Sequence, residues 1–109
     1  MAGTVAVVGV TAVVAGATVA LGLALGAVVQ VQRLSGIADA AALAAADTVS
    51  GAVTGVPCEA ATVVAEQGGA SLQECDVDGL VATVTVAGAY GGIPFDVRAR
   101  AGPPDVPSP

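Results

Sequence analysis

The first 32 residues of this chain carry no charged side chain. The first one is Arg33, and the 32 residues before it are apolar or small except for three threonines and two glutamines. A helix crosses the hydrocarbon core of a bilayer with about 20 apolar residues, at about 1.5 Å per residue. The apolar stretch 4–29 is long enough to cross with some tilt. Because a helix satisfies its own backbone hydrogen bonds in lipid, we predict a transmembrane helix over residues 1–29.

A cleaved secretory signal peptide is an alternative interpretation of the same segment. Such peptides begin with positive charge and carry an apolar stretch of about 7–15 residues. Here no Lys or Arg precedes the segment, and its apolar run is about twice as long as that stretch. Ala15-Gly16-Ala17 resembles a cleavage site, although an Ala- and Gly-rich chain produces such triplets often. We therefore predict a retained single-pass anchor, with release of a soluble domain near residues 15–17 as the alternative.

Small residues recur at regular intervals along the predicted membrane helix. Residues seven positions apart drift by only about 20° around a helix, so each series forms a stripe. Small side chains let helices approach closely in lipid, where packing drives their association. The composition can produce such spacing by chance, but we interpret the stripes as surfaces that pack beside other helices. The residues concerned are Thr4, Thr11, Thr18, Gly9, Gly16 and the GxxxG pair Gly22 and Gly26.

The helix is predicted to continue beyond the apolar segment, as far as residue 53. Apolar residues follow helical spacing after residue 30, and residues 38–46 are mostly alanine, the strongest helix former. Gly51 and Gly55 are stop signals, and Pro57 begins a new element. The predicted divisions are a membrane helix at 1–29, a helical continuation and linker at 30–56, a small head at 57–102, and a disordered tail at 103–109.

Residues 31–46, VQRLSGIADAAALAAA, resemble a segment that TadE/TadG-like proteins of Tad (Flp) pilus assembly carry just after their N-terminal membrane helix. Downstream, a cysteine, an Ala/Val helix, the hairpin sequence GASLQECDVDG and a terminal ARARAGP resemble the short actinobacterial TadE-like branch. The resemblance covers nearly the whole chain, and none of its motifs is catalytic. The motif positions in the first segment are Arg33, Leu34, Ala38, Asp39, Ala40, Ala41, Ala42 and Leu43.

The resemblance implies a minor pilin or pseudopilin with a structural role in pilus assembly, tip display or secretion. Its expected partners are the lipid bilayer, other pilin-like or TadE-like subunits that contact the membrane helix, and the Tad membrane platform. Its expected location is the inner or plasma membrane, with the C-terminal head outside the cytoplasm. A membrane-anchored binding or structural protein unrelated to pili remains an alternative.

The second half of the chain predicts a small α+β head of the pilin-like type. Pro57 suits the first turn of a helix, and Gly68-Gly69 ends it. Asp78-Gly79, between two runs that alternate in polarity, predicts a tight hairpin in which Val77 opposes Leu80. In that register the apolar residues of both strands share one face, including Cys75, Val77, Leu80, Ala82, Val84 and Val86.

A third strand is predicted over residues 95–101, after a loop that contains Gly91-Gly92 and Pro94. Its alternate residues place Phe95 toward the core and Arg98 and Arg100 outward. The two arginines are expected across from Glu74 and Asp76 as a solvated surface pair, and such pairs contribute about 0–1 kcal/mol. The sequence therefore predicts a three-stranded antiparallel sheet covered by the short helix.

The two cysteines are predicted to form a disulfide. The head contains little bulky apolar material, and domains of that kind need an additional staple. Cys58 lies on the apolar face of the short helix, and Cys75 lies on the strand face that this helix covers. Two free structural thiols are the alternative. A disulfide indicates an oxidising compartment, which places the head outside the cytoplasm, although Arg33 then opposes the positive-inside tendency.

Composition argues against most other functions. The formal net charge is −6, so the chain lacks the basic surface that nucleic acid requires. It contains no His, Lys or Trp, so no Ser or Thr has a credible base beside it. Asp76-Val77-Asp78-Gly79 resembles the start of a calcium loop, but the remaining ligands are missing and we interpret it as an acidic turn. We predict a protein that is not an enzyme and has no cofactor or metal.

Overall fold

The computed structural model describes residues 1–104. Two helices precede three strands, which confirms the predicted α+β class with a long apolar N-terminal helix, a short helix and a three-stranded antiparallel sheet. The element bounds are Ala2–Val49 for α1, Pro57–Gln67 for α2, Ser71–Asp78 for β1, Val81–Tyr90 for β2 and Ile93–Ala101 for β3. The predicted tail, 103–109, falls mainly on residues 105–109, which lie outside the described residues.

The chain divides into two compact units, Met1–Gln30 and Val31–Pro109, so α1 contributes residues to both. In the first unit every side chain from Met1 to Leu25 is exposed. An 18-residue window of this helix has a mean hydropathy of 2.3, and none of the window is buried. The helix is therefore long and apolar enough to cross a membrane.

In the second unit, α1 runs through Gly36 without interruption and ends at Val49. It ends four residues earlier than predicted, because Ser50 and Gly51 turn the chain. Gly51 has φ of 85°, a backbone conformation that only glycine adopts without strain. The amide of Ser50 still donates to the carbonyl of Ala46, so the last helical turn is closed.

Helix α2 begins and ends at the predicted residues. Pro57 occupies its first turn, where the missing amide hydrogen is not needed. At the other end Gly69 has φ of 82°, and the amides of Gly69 and Ala70 donate to the carbonyls of Glu66 and Ala65. These two bonds form a Schellman motif, so the Gly68-Gly69 pair ends the helix because the second glycine takes the left-handed conformation.

The register of the first hairpin differs from the prediction. Asp78 pairs with Val81, so Gly79 and Leu80 form the two-residue turn in place of Asp78 and Gly79. Gly79 has φ of 60°, whereas Asp78 and Leu80 do not have positive φ, so this turn needs only one left-handed residue. Val77 therefore opposes Ala82, and Leu80 lies in the turn, 52% exposed, instead of facing the core.

Strand β1 also contains a bulge at Gln73, which the sequence analysis did not predict. The register of β1 on β2 shifts between Leu72 and Glu74. Without the bulge, Gln73 would lie on the apolar face. The additional residue lets Leu72 pair with Val86 and pack against the core. The bulge thereby leaves the polar Gln73 exposed.

The second hairpin is tighter than predicted. Gly91 and Gly92, with φ of 58° and 80°, form a two-residue turn closed by Tyr90 and Ile93. Strand β3 therefore begins at Ile93 and includes Pro94, which was predicted to lie in the loop. Proline is tolerated there because β3 is an edge strand of the order β1-β2-β3.

Alanine dominates the core of the second unit. Within residues 31–104, ten of the thirteen buried apolar residues are alanine, and the largest fully buried side chains are Val84 and Val86. Leu34 is the one long aliphatic side chain among the thirteen. Small side chains allow the helices to lie close to the sheet, but they bury little apolar area per residue. A core of this kind supplies modest stability for a unit of this size.

Candidate functional site

The first unit presents its small residues on two faces of the membrane-type helix. At about 100° per residue, Gly22 and Gly26 fall on the same face as the threonine stripe. Gly9 and Gly16 fall on a second face, roughly 120–160° away around the axis. A Cβ added at Gly9, Gly16 or Gly22 would meet nothing within 4 Å, so these positions are open to a neighbouring helix.

Two threonine hydroxyls of this stripe are satisfied within the helix. Thr11 donates to the carbonyl of Val7 and Thr18 to the carbonyl of Val14, both at 2.8 Å. Such bonds to the preceding turn remove the cost of placing a hydroxyl in lipid. The threonine stripe can therefore face lipid or another helix. Thr4, the third member, is exposed.

The residues that resemble the family motif occupy the helical part of the second unit, and the structure separates them into two sets. Leu34, Ala38, Ala41 and Ala42 are buried, and the last three have no exposed surface. Asp39, Ala40 and Leu43 are exposed. The motif is therefore the surface by which α1 packs on the rest of its unit, and its exposed positions alternate with that surface at helical spacing.

Leu34 fits a gap that Gly88 leaves in the middle strand. A Cβ placed on Gly88 would lie 3.3 Å from both terminal methyl groups of Leu34. That separation is tighter than an ordinary van der Waals contact. The absent side chain of Gly88 and the buried side chain of Leu34 therefore form one complementary contact between α1 and β2. Sequence analysis did not identify Gly88, because a glycine within a strand usually indicates a bulge.

Arg33 has a structural partner. Its guanidinium Nη2 donates to the carbonyl oxygen of Gly68 at 3.3 Å, at the C-terminal end of α2. A cation at that position offsets the negative end of the helix dipole and supplies a donor for a terminal carbonyl. Arg33 thus joins the part of α1 that belongs to the second unit to the end of α2. This contact gives Arg33 a structural role that does not depend on which side of a membrane the residue lies.

Replacing Arg33 should weaken this junction by a small, measurable amount. For Arg33→Gln we expect a loss of about 0.5 kcal/mol in the free energy of unfolding, since exposed charges near a helix terminus contribute about 0.3–1 kcal/mol. Arg33→Lys keeps the charge and is the control, with a smaller expected loss. Urea unfolding of the oxidised protein in detergent, followed by circular dichroism, measures both. A loss above about 2 kcal/mol would contradict an exposed cap.

The structure contains the predicted disulfide between Cys58 on α2 and Cys75 on β1. The Cα atoms of the two residues are 5.8 Å apart, and 17 positions separate them in the chain. Both residues are half-buried, and Cys75 packs against the core. The bond therefore ties the short helix to an edge strand of the sheet, and neither sulfur is available as a thiol.

The outer face of the sheet, opposite the face that Leu34 contacts, carries charge in columns. Thr83 of β2 pairs with Asp76 on one side and Arg100 on the other. The next row places Thr85 between Glu74 and Arg98. Each arginine thus lies in the same row as an acidic residue, as predicted, but the central strand separates the two side chains. Thr85 is only 7% exposed, although it lies on this outer face.

Several depressions on the described residues are open to solvent. One of them is lined by residues that include Leu43, Asp47, Leu80 and Pro103. Within residues 1–104, no three His, Cys, Asp or Glu side chains are placed to hold a metal ion. Asp76 and Asp78 lie in β1, and Gly79 begins the turn, so these residues form a hairpin end.

No protein-family model, curated protein or solved structure matches the chain.

Proposed function

We propose that this chain is a TadE-like minor pilin or pseudopilin, a structural subunit of a Tad pilus or a related secretion system. The observation that carries the proposal is the packing role of residues 31–46, the segment that resembles TadE/TadG-like proteins. Its buried members Leu34, Ala38, Ala41 and Ala42 form the packing surface of a small α+β unit directly after an exposed apolar helix. A membrane-type helix followed by a head that its own continuation helps to build is the organisation that the resemblance implies.

In this proposal the helix of residues 1–30 lies in the bilayer and contacts other subunits through its small-residue faces. Between helices in lipid, close packing replaces the hydrophobic effect as the source of affinity. Two faces allow one helix to contact two neighbours, as assembly into a bundle or fibre requires. The membrane platform of the Tad system would receive the same helix. Energy from a cytoplasmic ATPase would reach this subunit through that platform.

The disulfide supports an extracytoplasmic location for the head. Disulfides persist in oxidising compartments and are rare in the cytoplasm of mesophilic bacteria. The Cys58–Cys75 bond belongs to the second unit, so this unit is the part assigned to the outside. The contact of Arg33 with Gly68 gives this arginine a structural role in an exported unit. The proposal thus gives a single-pass protein with its C-terminal unit exported.

A test of the proposed function places bulk on one small-residue face. In the native host, Gly9→Ile with Gly16→Ile should still insert and fold, because isoleucine is as lipid-compatible as the residues around it. The close approach of a neighbouring helix would be blocked, so we expect roughly tenfold less subunit in sheared surface fibres. Val5→Ile with Val19→Ile adds bulk at already large positions and is the matched control.

Fibre recovery equal to that of the control would contradict a role for this face in assembly. Deletion of the gene separates the proposal from its main alternative. A pilus or pseudopilus subunit is required for fibres or for secretion, whereas an unrelated membrane-anchored binding protein leaves both unchanged. A soluble protein in the medium, beginning after residue 17, would instead support the cleaved-signal interpretation.

A further inference from the structure

The sheet has two opposite edges of opposite charge. On its outer face β1 carries Glu74, Asp76 and Asp78, whereas β3 carries Arg98 and Arg100 together with Asp96 nearer its start, and all six side chains are exposed. Within residues 1–104, β1 and β3 each pair with one strand only, the central β2. Each edge therefore combines a charged column with a row of backbone groups that no strand of the described chain accepts.

The hairpin turns define which backbone groups point away from the sheet. The residues that close a two-residue turn form a hydrogen-bonded pair, and such pairs alternate with non-hydrogen-bonded ones. Because Ile93 closes the second turn, the outward groups of β3 belong to its even-numbered residues, including Arg98. Because Asp78 closes the first turn, the outward groups of β1 belong to Cys75 and Val77.

These positions suit pairing between two copies of the chain. β1 and β3 run in the same direction, since each is antiparallel to β2, so β3 of one copy would meet β1 of the next in a parallel pair. Parallel pairing places a residue with outward groups beside one with inward groups. Arg98 beside Glu74 or Asp76 meets that condition. In the sheet that the two copies would share, the outer-face side chains of both copies then lie on the same side.

The acidic side chains of β1 and the basic side chains of β3 also lie at matching positions along their strands. Glu74 and Arg98 both pair with Thr85, and Asp76 and Arg100 both pair with Thr83. A simple translation across the sheet therefore brings Arg98 next to Glu74 of the neighbouring copy, and the second row follows. Opposite charges on adjacent strands stabilise pairing, whereas two β1 edges would bring acidic side chains together.

We propose that the heads of successive copies join edge to edge, with β3 of one copy beside β1 of the next. The contact is heterologous, because the two surfaces are different, and it does not close by itself. The right-handed twist of a sheet would then turn each head relative to the last and give an open, helical row. This inference goes beyond the proposed function, since it concerns contacts between heads and does not require a pilus.

Charge exchange at the two edges tests the proposal in the full-length, oxidised chain. One variant carries Glu74→Arg and Asp76→Arg, and another carries Arg98→Glu and Arg100→Glu. Each has two edges of the same sign, so we expect roughly a tenfold loss of species larger than a monomer at low salt. The assay is sedimentation velocity in density-matched nonionic detergent over a range of protein concentrations.

Two further samples should regain assembly. An equimolar mixture of the two variants has complementary edges at every junction, and so does a single chain that carries all four substitutions. Both are expected to return to the wild-type size distribution and to lose it in 1 M salt, which screens exposed charges. Asp47→Arg with Glu66→Arg makes the same change in net charge as the β1 variant, at exposed positions of α1 and α2, and is the control, expected to assemble as wild type.

The membrane helix is identical in all samples, so differences between them report on the heads. Intact disulfide and an unchanged circular dichroism spectrum establish that each variant is folded. Assembly of the Glu74→Arg, Asp76→Arg variant as wild type would overturn the proposal. So would wild-type species that end at a dimer and respond only to the β3 substitutions. That result would indicate a closed antiparallel β3–β3 pair, in which Asp96 faces an arginine of the second copy.

Discussion

Removal of the disulfide is expected to cost the head about 3 kcal/mol. In the chain-entropy model, a bond that closes a loop of this length restricts the unfolded state by about that amount. Domains of ordinary size are stable by about 5–15 kcal/mol, and this alanine-rich unit belongs at the lower end of that range. Cys58→Ser with Cys75→Ser should therefore lose a large part of its stability and unfold at markedly lower urea concentration.

The measurement is urea unfolding of the full-length protein in detergent, followed by circular dichroism. The single variant Cys58→Ser and the reduced wild type lack the same bond and serve as controls, so all three should unfold at similar urea concentrations. The helix of residues 2–30 should keep its signal, because it satisfies its own hydrogen bonds in the micelle. A loss below about 0.5 kcal/mol would show that the head does not depend on the bond.

Replacement of Leu34 by alanine is the second large expected effect. Leu34 is 4% exposed and is the only long aliphatic side chain among the buried residues of the described chain, so its removal leaves a cavity between α1 and β2. Buried Leu→Ala substitutions cost about 2–5 kcal/mol, and we expect about 3 kcal/mol here. Leu43→Ala is a matched control on the same helix, because Leu43 is 56% exposed and should change stability by about 0.5 kcal/mol or less.

A double-mutant cycle isolates the contact itself. Gly88→Ala in the wild-type chain should destabilise the head, because its new methyl group meets Leu34 at 3.3 Å. In the Leu34→Ala background the same change should cost less, since the space is empty. Equal costs in the two backgrounds would show that Leu34 and Gly88 are not coupled. Equal losses for Leu34→Ala and Leu43→Ala would contradict the described packing of α1.

Local signals in the sequence were sufficient for much of this fold. Pro57 and Gly68-Gly69 marked both ends of α2, because proline and left-handed glycine have few other uses at such positions. The alternation of β3 predicted its inner and outer faces, and the thin core together with two facing cysteines predicted the disulfide. Each of these features depends on a few neighbouring residues, or on a simple count of apolar bulk.

The hairpin register was not accessible in the same way. The observed pairing differs from the predicted one by two residues, and a shift of two returns every side chain to the same face. Polarity alternation therefore cannot distinguish the two registers. The distinction depends on backbone conformation at the turn, where Gly79 takes positive φ and Asp78 and Leu80 do not.

Contacts between distant segments were also missed. Nothing near Arg33 in the sequence indicates that the end of α2, 35 positions later, accepts its hydrogen bond. Nothing in the sequence around Gly88 indicates that this residue lies against the methyl groups of Leu34. Thr85 is buried, although it lies on a face that alternation assigns to solvent. The surfaces proposed for function are more regular, so their residues could be identified from spacing, whereas their partners could not.

The intact mass and N-terminal sequence of the native protein, purified from membranes without reductant, test the central claim most directly. The account predicts a membrane-bound chain that retains the apolar helix through residue 30. It also predicts a mass lower than that of the reduced form by the two thiol hydrogens of Cys58 and Cys75. A chain that begins after residue 17 and is recovered from the medium, or a membrane-bound chain with two free thiols, would contradict the account of an anchored protein with an exported, disulfide-bonded head.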